Sequence, residues 1–215
     1  MAGLVPHMTG LLVAGGQSRR MGRDKRLLEL GGRPLVHRAL SVLQSLFSEV
    51  LVALAEPLPQ LTGEGYRVVL DLIPNCATLG GLYTGLSSAS HPRVLAVGCD
   101  MPFLNPEALK RLAGLGAQAD VAMPRLATGL QPLHAVYSKA CLPHLEKMAR
   151  AQQLKVQDLA EVDGLAVKLV PEQDFLDIDP QLLSFFNINT PADLEFARKL
   201  IAKFGQDRAG EGPIR

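Results

Sequence analysis

Paired glycines followed by basic residues are the feature of this sequence best suited to chemistry. Residues 11–25 read LLVAGGQSRRMGRDK, an apolar run that ends at Gly15 and Gly16 and leads to Arg20 and Lys25. Glycines have no side chain that would keep backbone N–H groups away from a phosphate, and the basic side chains add positive charge just beyond them. The pattern predicts a strand that leads into a phosphate-binding loop; the alternative is a glycine-rich turn with solvated charges.

Two familiar phosphate loops do not fit the spacing. A Walker A loop needs Gly, four residues and then Gly-Lys-Ser/Thr, whereas Gly22 is followed by Arg-Asp-Lys-Arg. A dinucleotide-binding fingerprint needs Gly-x-Gly-x-x-Gly, whereas Gly15 and Gly16 are adjacent. We therefore expect a longer loop between the first strand and a helix beginning near Pro34, with room to wrap a nucleoside triphosphate.

Two carboxylates follow predicted strands, where open parallel sheets gather their ligands. Asp71 comes directly after residues 66–70 and either accepts hydrogen bonds from a base or ribose or forms a local turn. Glycines 80–81 follow soon after it. Asp100 ends the run 94–100 and is suited to Mg²⁺, which takes one or two carboxylates and shares substrate phosphates. The alternative for Asp100 is a turn-capping role.

Later polar residues are candidates for contacting a second substrate. Asn187 and Asn189 precede the last predicted helix, and Asn189 either reaches a metal or that substrate or caps the neighbouring loop. His134, in the segment 131–137, either marks an acceptor pocket or is packed on a strand. No Ser/His/Asp or Cys/His arrangement stands out. This fits an acceptor that is itself a phosphate, because its ionised oxygen needs little help from a general base.

The elements that must position these residues alternate between strands and helices. Apolar, β-branched runs predict strands at 11–14, 50–54, 66–70, 94–98, 121–123, 133–137 and 165–170. Helical spacing and capping residues predict helices from about 34, from 106 after the N-cap Asn105, over 139–150, and from 191 after the N-cap Thr190. The alternation favours an open, mostly parallel sheet whose second half contains an antiparallel excursion.

Size and composition are those of an ordinary globular protein. The 215 residues are 47% apolar, which predicts one domain over 9–204, an unstructured or artificially added start at 1–8 and a frayed tail at 205–215. The net charge of +1 gives no overall positive electrostatic field that would attract nucleic acid or acidic membranes. An odd number of cysteines without a C-x-x-C pair argues against a disulfide framework or zinc site. With no membrane span or targeting segment visible, we expect a reducing, cytoplasmic location.

Three motifs, taken together and in this order, resemble the molybdenum cofactor guanylyltransferase family, whose members make molybdopterin guanine dinucleotide. They are residues 12–22 with 24–25, residues 99–104 and residues 187–194. The likeness extends from about Thr9 to Ile201. It implies an α/β, Rossmann-like, mostly parallel sheet with helices on both faces, of the nucleotidyltransferase type. It also implies GTP as donor, molybdopterin or its molybdenum-bearing form as acceptor, and Mg²⁺ as cofactor.

The resemblance also implies roles for individual residues. The nucleotide would be bound by Val13, Ala14, Gly15, Gly16, Lys25, Asp71 and Asp100. Arg20, Lys25 and Asp100 would be catalytic, and Asp100 would hold the metal. The acceptor would face Gln131, His134, Asn187 and Asn189. The chain departs from the family pattern at residues 77–81, which replace a Gly-Pro-Leu motif, and at about Ala53, where some members have an Asn that contacts the base.

The expected reaction is in-line attack of the acceptor phosphate on the α-phosphorus of GTP, with release of pyrophosphate. A CTP-dependent transferase acting on the same pterin, or a transferase acting on a sugar or polyol phosphate, is the alternative enzyme. A non-catalytic protein that binds and delivers the pterin is the alternative from another class. Proteins that deliver molybdopterin, and apoproteins of molybdoenzymes, are the macromolecular partners implied; nucleic acid and membranes are not expected.

Overall fold

A computed structural model describes residues 3–15 and 25–210 of the chain. The strands are β1 (Met8–Val13), β2 (Glu29–Leu30), β3 (Arg33–Pro34), β4 (Val50–Leu54), β5 (Arg67–Leu70), β6 (Arg93–Gly98), β7 (Val121–Leu126), β8 (Gly129–Leu130), β9 (His134–Ser138) and β10 (Val167–Pro171). The helices are α1 (Leu35–Leu46), α2 (Ala77–Ser88), α3 (Pro106–Leu115), α4 (Leu142–Arg150) and α5 (Pro191–Gly210). Each predicted strand has a counterpart, whereas the two-residue strands β2, β3 and β8 were not predicted.

One mixed sheet of eight strands forms the framework. Its order is β10-β7-β9-β6-β1-β4-β5, with β8 beside β7, and β2 and β3 form a separate hairpin. Strand β1 is parallel to both β4 and β6, whereas β9 is antiparallel to both β6 and β7. The short connection from β7 to β9 excludes a parallel crossover, which takes a dozen or more residues. The mostly parallel α/β fold is confirmed, and so is the antiparallel excursion.

Helices cover both faces of the sheet, so its central strands are apolar on both sides. Every residue of β1 is buried. Leu12 packs toward α1 and α3, whereas Leu11 and Val13 pack toward α2 and α4. Because β1, β4, β5 and β6 are parallel, their carboxyl ends meet at one edge of the sheet.

Glycines 80 and 81, which the sequence analysis noted as following soon after Asp71, lie inside helix α2. A Cβ on Gly80 would lie 2.8 Å from the carbonyl oxygen of Ile73, and one on Gly81 would lie 2.9 Å from the Val13 side chain. These glycines therefore let α2 pack closely on β1 and on the turn that carries Asp71.

A third apolar cluster positions the C-terminal part of the chain. Leu30 of the β2–β3 hairpin and Leu35 at the start of α1 pack against Ile188, Leu194 and Ala197. The hairpin follows closely after residue 25, and Ile188 lies between two of the predicted site residues. This cluster brings the segment 187–189 beside the loop that carries Lys25.

The predicted helix caps are confirmed at α3 and α5. The Asn105 side chain accepts a hydrogen bond from the Glu107 amide at 2.9 Å. The Thr190 hydroxyl accepts one from the Asp193 amide at 3.1 Å. Helix α5 continues to Gly210, although we expected a frayed tail from residue 205.

The N-terminal residues and the helix over 139–150 also differ in detail from expectation. The Val5 amide donates to the Leu46 carbonyl at 2.8 Å, so the described start of the chain is tied to α1. The predicted helix over 139–150 is a 3-10 turn, Lys139–Cys141, followed by α4. Among the described residues, no helix is long and apolar enough to span a bilayer.

Candidate active site

The end of strand β1 packs tightly against its surroundings. The Ala14 amide donates to the Ala53 carbonyl at 2.9 Å, which extends the β1–β4 ladder past the last strand residue. A Cβ on Gly15 would lie 3.3 Å from the Ala55 amide nitrogen and 3.5 Å from Oδ2 of Asp71. A larger residue than glycine would therefore crowd the space between the end of β1 and the Asp71 carboxylate.

The Asp71 carboxylate lies in a well-fixed turn at the end of β5. The Asp71 amide donates to the Leu54 carbonyl at 2.9 Å, and the next amide, of Leu72, donates to the Thr84 hydroxyl at 2.8 Å. These two bonds fix the backbone of the turn. Oδ1 of Asp71 is buried and has no hydrogen-bond partner among the described residues. Burial raises the pKa of Asp71. An unpaired buried acceptor is costly, and a donor from a bound molecule would relieve that cost.

Lys25, Asp100 and Asn189 lie together on the opposite side of the end of β1. Nζ of Lys25 donates to Oδ1 of Asn189 at 3.1 Å, across 164 residues of sequence. Burial raises the pKa of Asp100, and the positive charge of Lys25 acts in the opposite direction. The Ile188 amide donates to the Asp100 carbonyl at 2.9 Å, which joins the segment 187–189 to the loop after β6. A cation and a carboxylate therefore share one partly buried site.

The start of helix α5 holds Asn189 in place. Oδ2 of Asp193 accepts hydrogen bonds from the Asn189 amide at 2.9 Å and from the Thr190 amide at 2.7 Å. The hydrogen bond from the Asn189 amide lowers the pKa of Asp193, against a smaller opposing effect of burial. With its backbone fixed in this way, the Asn189 side chain is directed to Lys25.

The basic residue next to Lys25 also belongs to this region, and the sequence analysis missed it. Nη1 of Arg26 donates to the Ala14 carbonyl at 3.3 Å, which connects Arg26 directly to the end of β1. Nothing in the local pattern separated Arg26 from its basic neighbours. Gly16 and Arg20, which we predicted to contact the nucleotide and its phosphates, lie outside the described residues.

A cavity of about 300 Å³ opens beside Asp100. Gln131 and Asn187, both predicted to face the acceptor, line it. The Asn187 side chain donates to the Phe185 carbonyl at 3.0 Å, and that of Gln131 to the Gly129 carbonyl at 3.2 Å, so both have fixed orientations. Three further polar residues that the sequence analysis missed also line this cavity: Thr78, Lys155 and Gln157.

The prediction that His134 faces the acceptor needs correction. Its side chain is fully buried and packs against Phe185, with 4.3 Å between the ring centroids. Neither ring nitrogen has hydrogen-bond geometry to another described residue. Burial lowers the pKa of His134 to about 3, against a weaker opposing effect of the Ser184 backbone. His134 is therefore a neutral core residue at neutral pH, since β9 directs it into the interior while the preceding residues face the cavity.

The donor set of the site suits a metal ion that takes few ligands from the protein. Within residues 3–15 and 25–210, no group of three or more His, Cys, Asp or Glu side chains could hold a metal. Asp100 offers one carboxylate beside the open cavity. Mg²⁺ commonly takes one or two carboxylates and completes its shell with water and substrate phosphates, so the residues present fit this ion.

Comparisons with known proteins identify the relatives of this chain. The MobA-like NTP transferase domain model matches residues 10–163. A relative in Pelotomaculum thermopropionicum, named a probable molybdenum cofactor guanylyltransferase, is 40% identical, with 88% of this chain and 91% of the relative covered. One in Desulfosudis oleivorans, named a molybdenum cofactor guanylyltransferase, is 34% identical, with 90% and 96% covered.

A solved structure of molybdopterin-guanine dinucleotide biosynthesis protein A from Archaeoglobus fulgidus has a TM-score of 0.80 and 26% identity. That match covers 91% of this chain and all of the other. The fold and the site define a nucleotidyltransferase, a class of enzyme that uses a divalent metal ion. More specifically, the chain belongs to the MobA-like NTP transferase family, which confirms the resemblance that the motifs indicated.

Proposed function

We propose that this protein transfers GMP from GTP to molybdopterin, which yields molybdopterin guanine dinucleotide and pyrophosphate. The observation that supports this most directly is the meeting of Lys25, Asp100 and Asn189 beside a cavity at the carboxyl ends of the strands. A cation that faces triphosphate oxygens and a carboxylate that faces a metal are what nucleotidyl transfer needs, because its catalysis rests on positioning and charge neutralisation.

The nucleotide occupies the end of β1 in this proposal. The backbone of Val13, Ala14, Gly15 and Gly16 lines it, and a side chain at Gly15 would crowd the Ala55 backbone at 3.3 Å. Oδ1 of Asp71, which is buried without a described partner, accepts a hydrogen bond from the base or the ribose. Ala53 is fully buried in β4, so it makes no contact with the base, and Asp71 carries more of the nucleoside recognition.

The reaction is an in-line displacement at the α-phosphorus. An oxygen of the acceptor phosphate forms a new bond to the α-phosphorus. The bond between the α-phosphorus and the oxygen that bridges it to the β-phosphorus breaks, and pyrophosphate leaves with the electron pair of that bond. Lys25 and Arg20 neutralise charge on the triphosphate. Asp100 holds Mg²⁺, which when bound supplies Lewis-acid stabilisation of the phosphate oxygens. The acceptor oxygen is already ionised near neutral pH, so no side chain has to take its proton.

The pterin lies in the cavity beside Asp100. Gln131, Asn187 and Asn189 offer it amide donors and acceptors at fixed positions. Lys155 and Gln157 lie across the same cavity, and Lys155 supplies a positive charge for the phosphate of the acceptor. His134 has no direct part in this arrangement.

The test is to incubate the purified protein with GTP, Mg²⁺ and molybdopterin and to identify the pterin product by mass spectrometry. We expect a pterin product that is heavier by one guanylyl group, which is GMP less one water, together with one equivalent of released pyrophosphate. The same assay with ATP, CTP and UTP, and with sugar and polyol phosphates as acceptors, separates the alternative transferases. Tight binding of the pterin without nucleotide-dependent release of pyrophosphate with any pair would contradict the proposal and support a delivery protein.

Substitution of the charged pair tests the assigned roles. We expect Lys25→Met and Asp100→Asn each to lower the rate about 10²- to 10³-fold, the usual cost of one electrostatic contact in a transition state. Lys168→Met and Asp163→Asn change the same residue types at exposed positions and control for the loss of charge. Wild-type rates in either site variant, with normal thermal unfolding, would refute the assigned role.

A cytoplasmic location and protein partners complete the proposal. Cys76, Cys99 and Cys141 form no disulfide, as expected in a reducing compartment that also supplies GTP. Proteins that deliver molybdopterin, or molybdoenzyme apoproteins that receive the dinucleotide, are the partners we propose. Pull-down with the purified apoproteins in the presence and absence of product tests them.

A further inference from the structure

Arg38 connects two loops whose relative position must be fixed for the reaction. It lies on helix α1, and its guanidinium reaches two backbone carbonyls outside that helix. Nη1 donates to the Leu30 carbonyl at 3.1 Å, and Nε donates to the Pro102 carbonyl at 3.4 Å. Leu30 follows Lys25 by five residues, and Pro102 follows Asp100 by two.

The base of this connection is rigid. The residues of α1 on either side of Arg38 that face the sheet, among them Val36, Ala39 and Leu40, are at most 2% exposed. A helix packed so closely cannot follow the movement of either loop. Arg38 is partly buried, and burial together with the nearby charge of Arg33 lowers its pKa. An arginine remains charged under such conditions, so its donors stay available to the carbonyls.

Arg38 also lines a cavity of about 570 Å³, together with Arg33. Two of the donor nitrogens of Arg38 are already directed to the protein's own carbonyls, so this guanidinium serves the loops rather than a free anion. Arg33 is exposed, and its side chain has no hydrogen bond to another described residue beyond the backbone pairing of Arg33 with Leu30, so it has no equivalent role.

We propose that Arg38 is a positioning residue for nucleotidyl transfer, which sets the loop of Lys25 against the loop of Asp100. The proposal rests on the roles given above to these two residues. The Lys25–Asn189 and Ile188–Asp100 hydrogen bonds join the same loops through the segment 187–189. Arg38 supplies a second connection, which does not pass through that segment. A misplacement of about 1 Å at a reacting group can cost about 10²-fold in rate.

The first experiment compares Arg38→Ala with Arg93→Ala. Arg93 is a matched control, because its Nε also donates to a backbone carbonyl, that of Ala119 at 3.1 Å, but at the amino end of β6 away from the site. We expect both variants to unfold at similar temperatures. We expect only Arg38→Ala to lose about 10- to 100-fold in kcat, with a KM for GTP within about threefold of the wild-type value. Equal effects of the two substitutions on kcat would overturn the proposal.

Arg38→Lys provides a further test. A single ammonium can reach one of the two carbonyls but not hold both in the fork of a guanidinium, so we expect an intermediate kcat. A wild-type kcat for both variants would overturn the proposal.

The second experiment uses no substrate, so it separates this proposal from the proposed function. Amide hydrogen exchange is followed at Leu28, whose amide donates to the Lys25 carbonyl, and at Ile188, whose amide donates to the Asp100 carbonyl. We expect faster exchange at both amides in Arg38→Ala and unchanged exchange in Arg93→Ala. If the wild-type protein transfers no nucleotide, the proposed function fails, while the exchange result still decides whether Arg38 connects the loops. Unchanged exchange in Arg38→Ala would overturn the connection.

Discussion

Glu49 is expected to stabilise the fold in a way that depends strongly on pH. It lies at the amino end of β4, remote from the site, and its carboxylate accepts hydrogen bonds from the Thr9 hydroxyl at 2.5 Å and from the Ser90 amide and hydroxyl, each at 2.9 Å. Arg67 donates a longer one at 3.4 Å. The carboxylate thus joins the starts of four neighbouring strands. Burial works to raise the pKa of Glu49, and these bonds outweigh it, so that the pKa falls to about 2.

The magnitude follows from the link between pKa and stability. A pKa of about 2 in place of 4.5 corresponds to about 3 kcal/mol, at 1.36 kcal/mol for each pH unit. The Arg67 side chain is 54% exposed, so solvent screening weakens that part of the cluster. We therefore expect Glu49→Gln to cost about 2 kcal/mol at pH 7. For a chain of this length that corresponds to a fall of about 4–8 °C in Tm.

The sign of the pH dependence is fixed by the direction of the pKa shift. Because the folded pKa lies below the unfolded one, the stabilisation is complete above about pH 4.5 and is lost as the pH falls toward 2. Urea unfolding of the wild type and of Glu49→Gln between pH 7 and pH 3 measures this, with Glu146→Gln as a control in an exposed helical ion pair. If the free energies of unfolding of the wild type and of Glu49→Gln differ by less than about 0.5 kcal/mol at pH 7, or if their difference stays constant down to pH 3, the reasoning is refuted.

Three other predictions concern the core and the acceptor cavity. His134→Leu should abolish a decrease of about 2 kcal/mol in the free energy of unfolding that the wild type undergoes between pH 7 and pH 5, because only the unfolded state takes up a proton on His134. Unfolding of both proteins at the two pH values measures this decrease, and a raised KM of the variant for molybdopterin would restore His134 as an acceptor contact. Gly85→Ala should destabilise the protein by about 1–3 kcal/mol because the new methyl group meets the buried Leu11 side chain, whereas Gly114→Ala, with open space around it, should stabilise the protein by about 0.5–1 kcal/mol. Thermal unfolding measures both variants, and an equal change in their stability would contradict the packing argument. Lys155→Met should raise the KM for molybdopterin about 10- to 100-fold and leave that for GTP unchanged, and equal effects on both in steady-state kinetics would count against its place on the acceptor side.

Much of the framework is visible in the sequence because its signals are local. The run 50–54 is apolar throughout and contains two β-branched valines, and it is strand β4 with the same limits. Asn105 and Thr190 were recognised as caps because a cap depends on only three or four neighbouring residues. The site residues at strand ends could be predicted in the same way, since parallel strands bring their carboxyl ends to one edge.

The features that were missed depend on packing between distant segments. Helix α2 contains three glycines, which weaken its helical signal, and it is held by its close approach to β1 rather than by propensity. The burial of His134 follows from its neighbours Phe185 and Ser184, some fifty residues away in the chain, which no local pattern reveals. Lys155 reaches the cavity because of the path of the chain after α4, so its position also had no signal of its own.

The hydrogen bond between Lys25 and Asn189 has a consequence for synthesis of the protein on the ribosome. The cation leaves the exit tunnel early, whereas its amide partner emerges only after most of the chain has been made. A nascent chain that has already formed its central strands thus has no assembled reaction centre. A chain that still lacks the segment 187–189 cannot form this hydrogen bond, so the site is completed only late in synthesis.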